Sequence, residues 1–210
     1  MNTLKPKEVK ELLLVLSKVF QEKMEELSEY DSVIGDGDHG VTMARGFKAG
    51  AEKISDLDED VNGYFKKFGR ALIAELGGAI GPLFGSVFTE IAKACKGEEE
   101  IGLCNIVNGF EGAQNKIMEL GGAKVGDKTM VDAIAPTVES LKESLKNNLS
   151  LKEAMELAEK KADEGVKSTI PLIAKRGRSK FLQEKAIGHQ DAGATSFYYL
   201  IKTFNKYIDK

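Results

Sequence analysis

Apolar residues return at helical spacing along nearly the whole chain, and no stretch alternates convincingly in the two-residue rhythm of a half-buried strand. Val9, Leu12, Leu13, Leu16, Phe20, Met24 and Leu27 make one stripe, and Tyr64, Phe65, Phe68, Leu72 and Leu76 another. Leu83, Val87 and Ile91 follow Pro82, a residue suited to a first helical turn. Val131, Ile134, Val138, Leu141 and Leu145 form a fourth stripe, and Phe197, Leu200, Ile201 and Phe204 a last one. Ser150 and Glu153 fit a capping box ahead of a long helix that Pro171 should kink. The spacing predicts eight helices, over 6–29, 40–54, 61–76, 82–96, 103–120, 130–147, 150–175 and 193–208. With no linker, low-complexity stretch or clear repeat, 1–210 reads as one all-α domain.

The connections fall into two kinds. Those after the first, third, fifth and seventh helices are "DSVIGDGDHG", "GGAIGPLFG", "GGAKVGDKTM" and "RGRSKFLQEKAIGHQDAGATS", all rich in glycine and polar groups. The alternate ones, "SDLDED", "KGEEE" and "KNNLS", are plain polar turns. If the helices run up and down, as short connections favour, every second loop lies at the same end. The four glycine-rich loops then meet at one rim and build a site from segments far apart in sequence.

Asp31, Asp36 and Asp38 offer oxygen donors, and Gly35, Gly37 and Gly40 free the backbone to turn the carboxylates inward. Carboxylates held together repel unless a cation lies among them, and an oxygen set without cysteine favours Mg²⁺, Mn²⁺ or Ca²⁺. The other reading of the same residues is a solvated turn. His39 and His189, the two histidines of the chain, fall in these loops, with no serine or cysteine set as a nucleophile. "GGAIG" leads into a helix start, which attracts phosphate, and Arg176 and Arg178 add charge that pairs with it. A hard cation, backbone amides and arginine at one rim describe a nucleotide polyphosphate site. No GK[ST] follows the glycines, so this is not a Walker loop.

Charge and composition exclude other classes. A net charge of −3 and a pI of about 5.6 leave no basic field for nucleic acid or anionic membrane. Cys95 and Cys104 lack zinc or disulfide spacing and are expected in the core of a protein from a reducing compartment. No apolar run suits a signal peptide or a membrane span, so the expected location is cytoplasmic.

The motifs "IGDGDHG", "GGAIGPLFG", "GDKTMVDAIAP", "GRSKFL" and "IGHQDAGATS" occur in the order and spacing of one family. Over nearly its whole length the chain resembles the nucleotide-binding L subunits of bacterial dihydroxyacetone kinases. That resemblance implies a barrel of eight antiparallel amphipathic helices with a nucleotide site at one rim. It implies two Mg²⁺ on Asp31, Asp36 and Asp38, bridging the diphosphate of ADP or ATP. His39, Gly40, Val41 and Thr42 would hold phosphate, and Ala79 and Ile80 would lie on the second phosphate turn. Gly121 and Met130 would border adenine and ribose, while Arg178, Asp191, Ala192 and Gly193 would close the site. The nucleotide would act as a cofactor. A histidine phosphoprotein (the M subunit) would charge it, and a separate K subunit would hold the dihydroxyacetone that receives the phosphoryl group. No residue of the chain itself is expected to act as a nucleophile.

Other readings remain open at this level. One is an ATP-dependent ketose or triose kinase subunit with exchangeable ATP. Another is a nucleotide-sensing partner of a transcription regulator, a second role the family sometimes has. The chain departs from the usual pattern at Ile80, where serine is usual, at Thr42, often asparagine, and at Ala192, usually proline. "GRSKFLQEKA" also stands where the family carries "GRASYLGERS".

Overall fold

A computed structural model describes residues 2–209. Its α-helices are α1 (Pro6–Glu22), α2 (Met24–Ile34), α3 (His39–Ile54), α4 (Val61–Glu75), α5 (Ile80–Ala94), α6 (Leu103–Gly121), α7 (Val131–Lys146), α8 (Leu151–Ser168) and α9 (Ala192–Ile208). A 3₁₀ segment covers Arg178–Ala186. Among the described residues there is no strand. A lone antiparallel bridge, Leu4 N–H to Ile101 C=O at 2.8 Å and the reverse at 2.9 Å, ties the start of the chain to the α5–α6 connection.

The predicted stripes face one apolar core. Val9, Leu12, Leu13, Leu16 and Phe20 of α1 are fully buried, as are Phe65, Phe68 and Leu72 of α4 and Ile134 and Leu141 of α7. The helices pack in a simple order. α1 lies on α3, α3 on α4, α4 on α5, and so on to α8 on α9, and α9 returns against α1. Aromatic rings fill the space between them. Phe47 of α3 stacks on Phe20 of α1 at 3.8 Å between centroids and meets Phe68 of α4 at 5.6 Å and Phe88 of α5 at 5.7 Å. On the other side, Phe110 of α6 makes edge contacts with Phe197 and Phe204 of α9, at 6.0 and 6.1 Å.

The structure corrects the predicted helices in four places. The first helix breaks at Lys23, and its second part, α2, runs on to Ile34, past the predicted end at 29, so Asp31 lies on the last turn of α2 rather than in a loop. No proline or glycine marks that break. The chain turns there because α2 leaves α1 to pack against α3 and also reaches α9. The fourth predicted helix starts at Ile80, two residues early, which places Pro82 in the first turn, where its missing N–H costs no helical bond. The long helix stops at Ser168, and Pro171 follows that end instead of kinking the helix. The proline inside a helix is Pro136 of α7, which cannot donate to the Asp132 carbonyl one turn earlier. Beyond α8 the chain forms the unforeseen 3₁₀ segment. Of the two cysteines, Cys95 is buried as expected, whereas Cys104 is exposed on α6.

Phe47 is fully buried where α1, α3, α4 and α5 meet. Phe47→Ala is expected to lower stability by about 3–5 kcal/mol, read from the midpoint of urea unfolding at unchanged slope.

Candidate functional site

Residues from all four glycine-rich connections line one cleft of about 570 Å³, a size suited to a small molecule. Its first wall is the turn between α2 and α3. Asp31 closes α2, Asp36 and Asp38 occupy the turn, and one oxygen from each lies within 4.8 Å of the others. Gly35 makes this closeness attainable: a Cβ there would fall 2.8 Å from the Asp31 carboxyl carbon. The His39 N–H donates to Asp31 Oδ2 at 3.3 Å. Gly40 brings α3 down onto α2, since a Cβ would lie 2.8 Å from the Ser28 nitrogen.

His39 is buried at the base of this wall, and its Nε2 lies 2.7 Å from Ser196 Oγ of α9. Burial pushes its pKa down to about 4, against the pull of Asp31 and of a hydrogen bond with the Ala192 backbone. The ring is therefore neutral at physiological pH and ties α3 to α9.

The second wall is Gly77, Gly78, Ala79 and Ile80 at the start of α5. No side chain at the N-cap closes either α3 or α5; at α3 the first amide, His39 N–H, is taken instead by Asp31 Oδ2. Ile80 has two faces: it lines the cleft and also packs on the core.

The third wall runs from Gly121 to Val131. Asp132 organises it by accepting from the Gly126 N–H at 2.6 Å and the Thr129 N–H at 2.9 Å. Asp127 accepts from the Lys124 N–H at 3.1 Å and lies 3.4 Å from Lys175 Nζ and 3.6 Å from Arg176 Nε. The fourth wall is thereby fastened to the third. It carries Arg176, Gly177, Arg178 and Ser179, followed by Asp191, Ala192 and Gly193. Arg178 crosses the mouth, contacts Asp36 and approaches Asp38 to 3.6 Å. Asp191 caps α9 by accepting from the Ala194 N–H at 2.7 Å. Burial pushes its carboxyl up to about 7, and Asp132 and Asp31 act in the same direction.

Asp31, Asp36, Asp38, His39, Thr42, Ala79, Ile80, Gly121, Met130, Arg178, Asp191, Ala192 and Gly193 thus come together from distant parts of the chain. Gly40 and Val41 are not on the lining: Gly40 packs against α2, and Val41 is half exposed. His189 is exposed, and it is its backbone carbonyl that is engaged, accepting from Lys128. Sequence reasoning missed Arg45, Lys128 and Thr129. Lys128 and Thr129 sit inside the quoted motif "GDKTMVDAIAP", but nothing local distinguishes Lys128 from a surface lysine. A wider groove of about 780 Å³ along α6, α7 and α8 carries Glu111, Glu139 and Glu164 but receives neither the three aspartates nor the Gly77–Ile80 turn.

By fold and cleft this is an all-helical protein with a glycine-rich, small-molecule-sized cavity assembled at its helix ends, acidic on one wall and carrying arginine on others. The chain belongs to the DAK2 domain family, whose pattern it matches over residues 33–206. It is 39% identical over 185 residues to the ADP-binding subunit DhaL of the PEP-dependent dihydroxyacetone kinase of Escherichia coli, covering 88% of each chain. It is 36% identical over 202 residues to the corresponding subunit of PEP-dependent dihydroxyacetone kinase 2 of Listeria innocua, covering 93% of this chain and 91% of that one. Its fold matches the dihydroxyacetone kinase of C. freundii in complex with AMP-PNP and Mg²⁺, with a TM-score of 0.73 at 23% identity. That match covers 97% of this chain and 35% of the longer one, so the chain spans about a third of that kinase.

Ser196 is fully buried and faces the His39 ring. Ser196→Ala leaves a buried ring nitrogen without its partner and is expected to lower stability by about 1–3 kcal/mol, measured by thermal unfolding.

Proposed function

We propose that this chain is the ADP-binding subunit of a phosphoenolpyruvate-dependent dihydroxyacetone kinase. The observation that carries the reading is the end-to-end match to such subunits, at 88% of both chains in the Escherichia coli case. The cleft supports it, because its donor set fits Mg–ADP. Three carboxylates within 4.8 Å of one another, with no thiol on the lining, suit two Mg²⁺. Two helix starts without a side-chain N-cap and three lining arginines, Arg45, Arg176 and Arg178, suit a diphosphate.

An ADP held there would take a phosphoryl group from a histidine phosphoprotein to become ATP, and the ATP would then pass that group to the dihydroxyacetone hydroxyl and revert to ADP, each transfer in line. The chain's own residues bind and orient. Asp31, Asp36 and Asp38 would hold the metals, which would neutralise phosphate charge. The α3 start, from His39 through Gly40 and Val41 to Thr42, and the α5 start at Ala79 and Ile80 would lie against the phosphates, with the His39 N–H already held by Asp31 and the Thr42 N–H by the Asp38 carbonyl. Gly121 and Met130 border the adenine and ribose. Arg178, Asp191, Ala192 and Gly193 close the mouth. His39, neutral and held by Ser196, sets the α3 start in place.

The K subunit that holds the ketone and the M subunit that recharges the nucleotide are separate partners, and the setting is the cytoplasm. No helix among the described residues is long and apolar enough to cross a membrane, in keeping with that setting. The packing order of α1 and α3 to α9 supports a closed barrel of eight helices in one domain over 1–210, with α2 carrying the acidic turn at its edge.

Nucleotide extraction and native mass spectrometry of the purified chain are expected to show retained ADP with Mg²⁺. Reconstitution with K and M subunits is expected to move phosphoryl from phosphoenolpyruvate to dihydroxyacetone. Rapid exchange with free ATP, and turnover without the M subunit, would instead identify an ATP-dependent ketose kinase subunit. Binding of a transcription regulator without transfer would identify a nucleotide sensor.

Asp36→Ala removes one donor and leaves the diphosphate charge poorly neutralised. Loss of ADP from the purified variant is expected, with a fall in melting temperature by linkage. Ile80→Ser places a hydroxyl at the α5 start, where serine is usual. A hydrogen bond to a charged partner contributes about 1.5–3 kcal/mol, part of it offset by lost apolar contact. Several-fold slower release of ADP, followed by stopped-flow displacement, is the expected outcome.

A further inference from the structure

The chain leaves α8 at Thr169 and rejoins α9 at Ala192, and the excursion between them carries Arg176 and Arg178 to the mouth of the cleft. Lys128 stands beneath it, only 1% exposed. Its ammonium donates to the Thr169 carbonyl at 2.6 Å and to the His189 carbonyl, and it lies 3.5 Å from the Ile170 carbonyl. An ammonium has three protons to donate, and the two short bonds, to the Thr169 and His189 carbonyls, hold two of them. The acceptors lie at the two ends of one excursion. Those ends also bond to each other, with Gly188 N–H on the Ile170 carbonyl at 2.9 Å and Asp191 N–H on Thr169 Oγ1 at 3.0 Å.

Lys128 sits in the left-handed region at φ 60°, a conformation that a non-glycine residue holds only when its surroundings impose it. Asp132 imposes it by gripping the amides of Gly126 and Thr129 on either side.

We propose that Lys128 is a positioning residue: by holding both ends of residues 169–191 together, it sets Arg178 across the cleft mouth opposite Asp36 and Asp38. The consequence for nucleotide rests on the function proposed above; the hold on the segment does not.

The test has two arms. In the ligand-free protein, hydrogen exchange at the Gly188 and Asp191 amides is expected to rise about tenfold or more in Lys128→Met, with the amides of α4 to α6 unchanged. Unchanged exchange at those two amides overturns the proposal. The second arm compares Mg–ADP release from wild type, Lys128→Met, Arg178→Gln and the double variant. Each single change is expected to speed release about tenfold. The double variant is expected to be no faster than Arg178→Gln, because both changes act through one guanidinium. A merely structural lysine gives multiplicative effects, about a hundredfold in the double variant, and that result overturns the proposal. Lys128→Gln is measured alongside and is read by the same criteria should the methionine variant fold poorly. Wild type that binds no Mg–ADP refutes the nucleotide reading, while the exchange arm still decides whether Lys128 holds the segment.

Discussion

Three carboxylates within 4.8 Å of one another govern how this molecule is arranged at one end. Each pair of unit charges at such a distance repels by roughly 1 kcal/mol in water and several times more near a protein surface of lower effective dielectric. The fold nonetheless keeps the cluster together. α2 is turned away from α1 so that Asp31 can face Asp36 and Asp38, and Gly35 and Gly40 let the backbone close tightly around them. Positive charge answers from across the cleft, where Arg178 reaches Asp36 and Asp38 from the far wall. A divalent cation would answer the same charge in the proposed loaded state, and the phosphates it brings would give Arg178 a second anionic partner.

The walls of the cleft depend on one another for the same electrostatic reason. Asp127 binds the third wall to the fourth through Lys175 and Arg176. Asp132 shapes the turn that presents Lys128, and Lys128 gathers the ends of the segment that bears Arg178. His39 joins the acidic wall to α9 through Ser196. Little of this involves exposed ion pairs on the helix flanks, such as Lys161–Glu164, which contribute little to stability. The polar bonds that matter here join residues far apart in sequence.

Much of the helical content was legible because amphipathic periodicity is a local property. The helices predicted over 61–76, 103–120, 130–147 and 193–208 match the boundaries of α4, α6, α7 and α9 to within a residue or two. The breaks were less legible. At Lys23 the apolar stripe continues unbroken, and the turn follows from where α2 must pack. Pro136 sits inside α7 while Pro171 merely follows α8, although both look alike as prolines in helical patterns. Cys95 and Cys104 also look alike in sequence and differ only in the face each one occupies.

The sequence by itself determined an all-helical chain, the alternation of plain with glycine-rich connections, and the acidic turn. These rest on residue spacing and on the parity of up-and-down helices, which need no knowledge of distant contacts. Most of the proposed cleft residues were readable in the same way, because the motifs that hold them are short. Only the tertiary structure decided which of them face the cavity: Gly40 turns to α2 and Val41 to solvent, while Arg45 and Thr129 turn in. It alone gave Lys128 its place, since that lysine's partners lie 41 and 61 residues away and are backbone carbonyls, which carry no side-chain signature. A buried ammonium is defined by the acceptors that surround it, and folding is what brings those acceptors together.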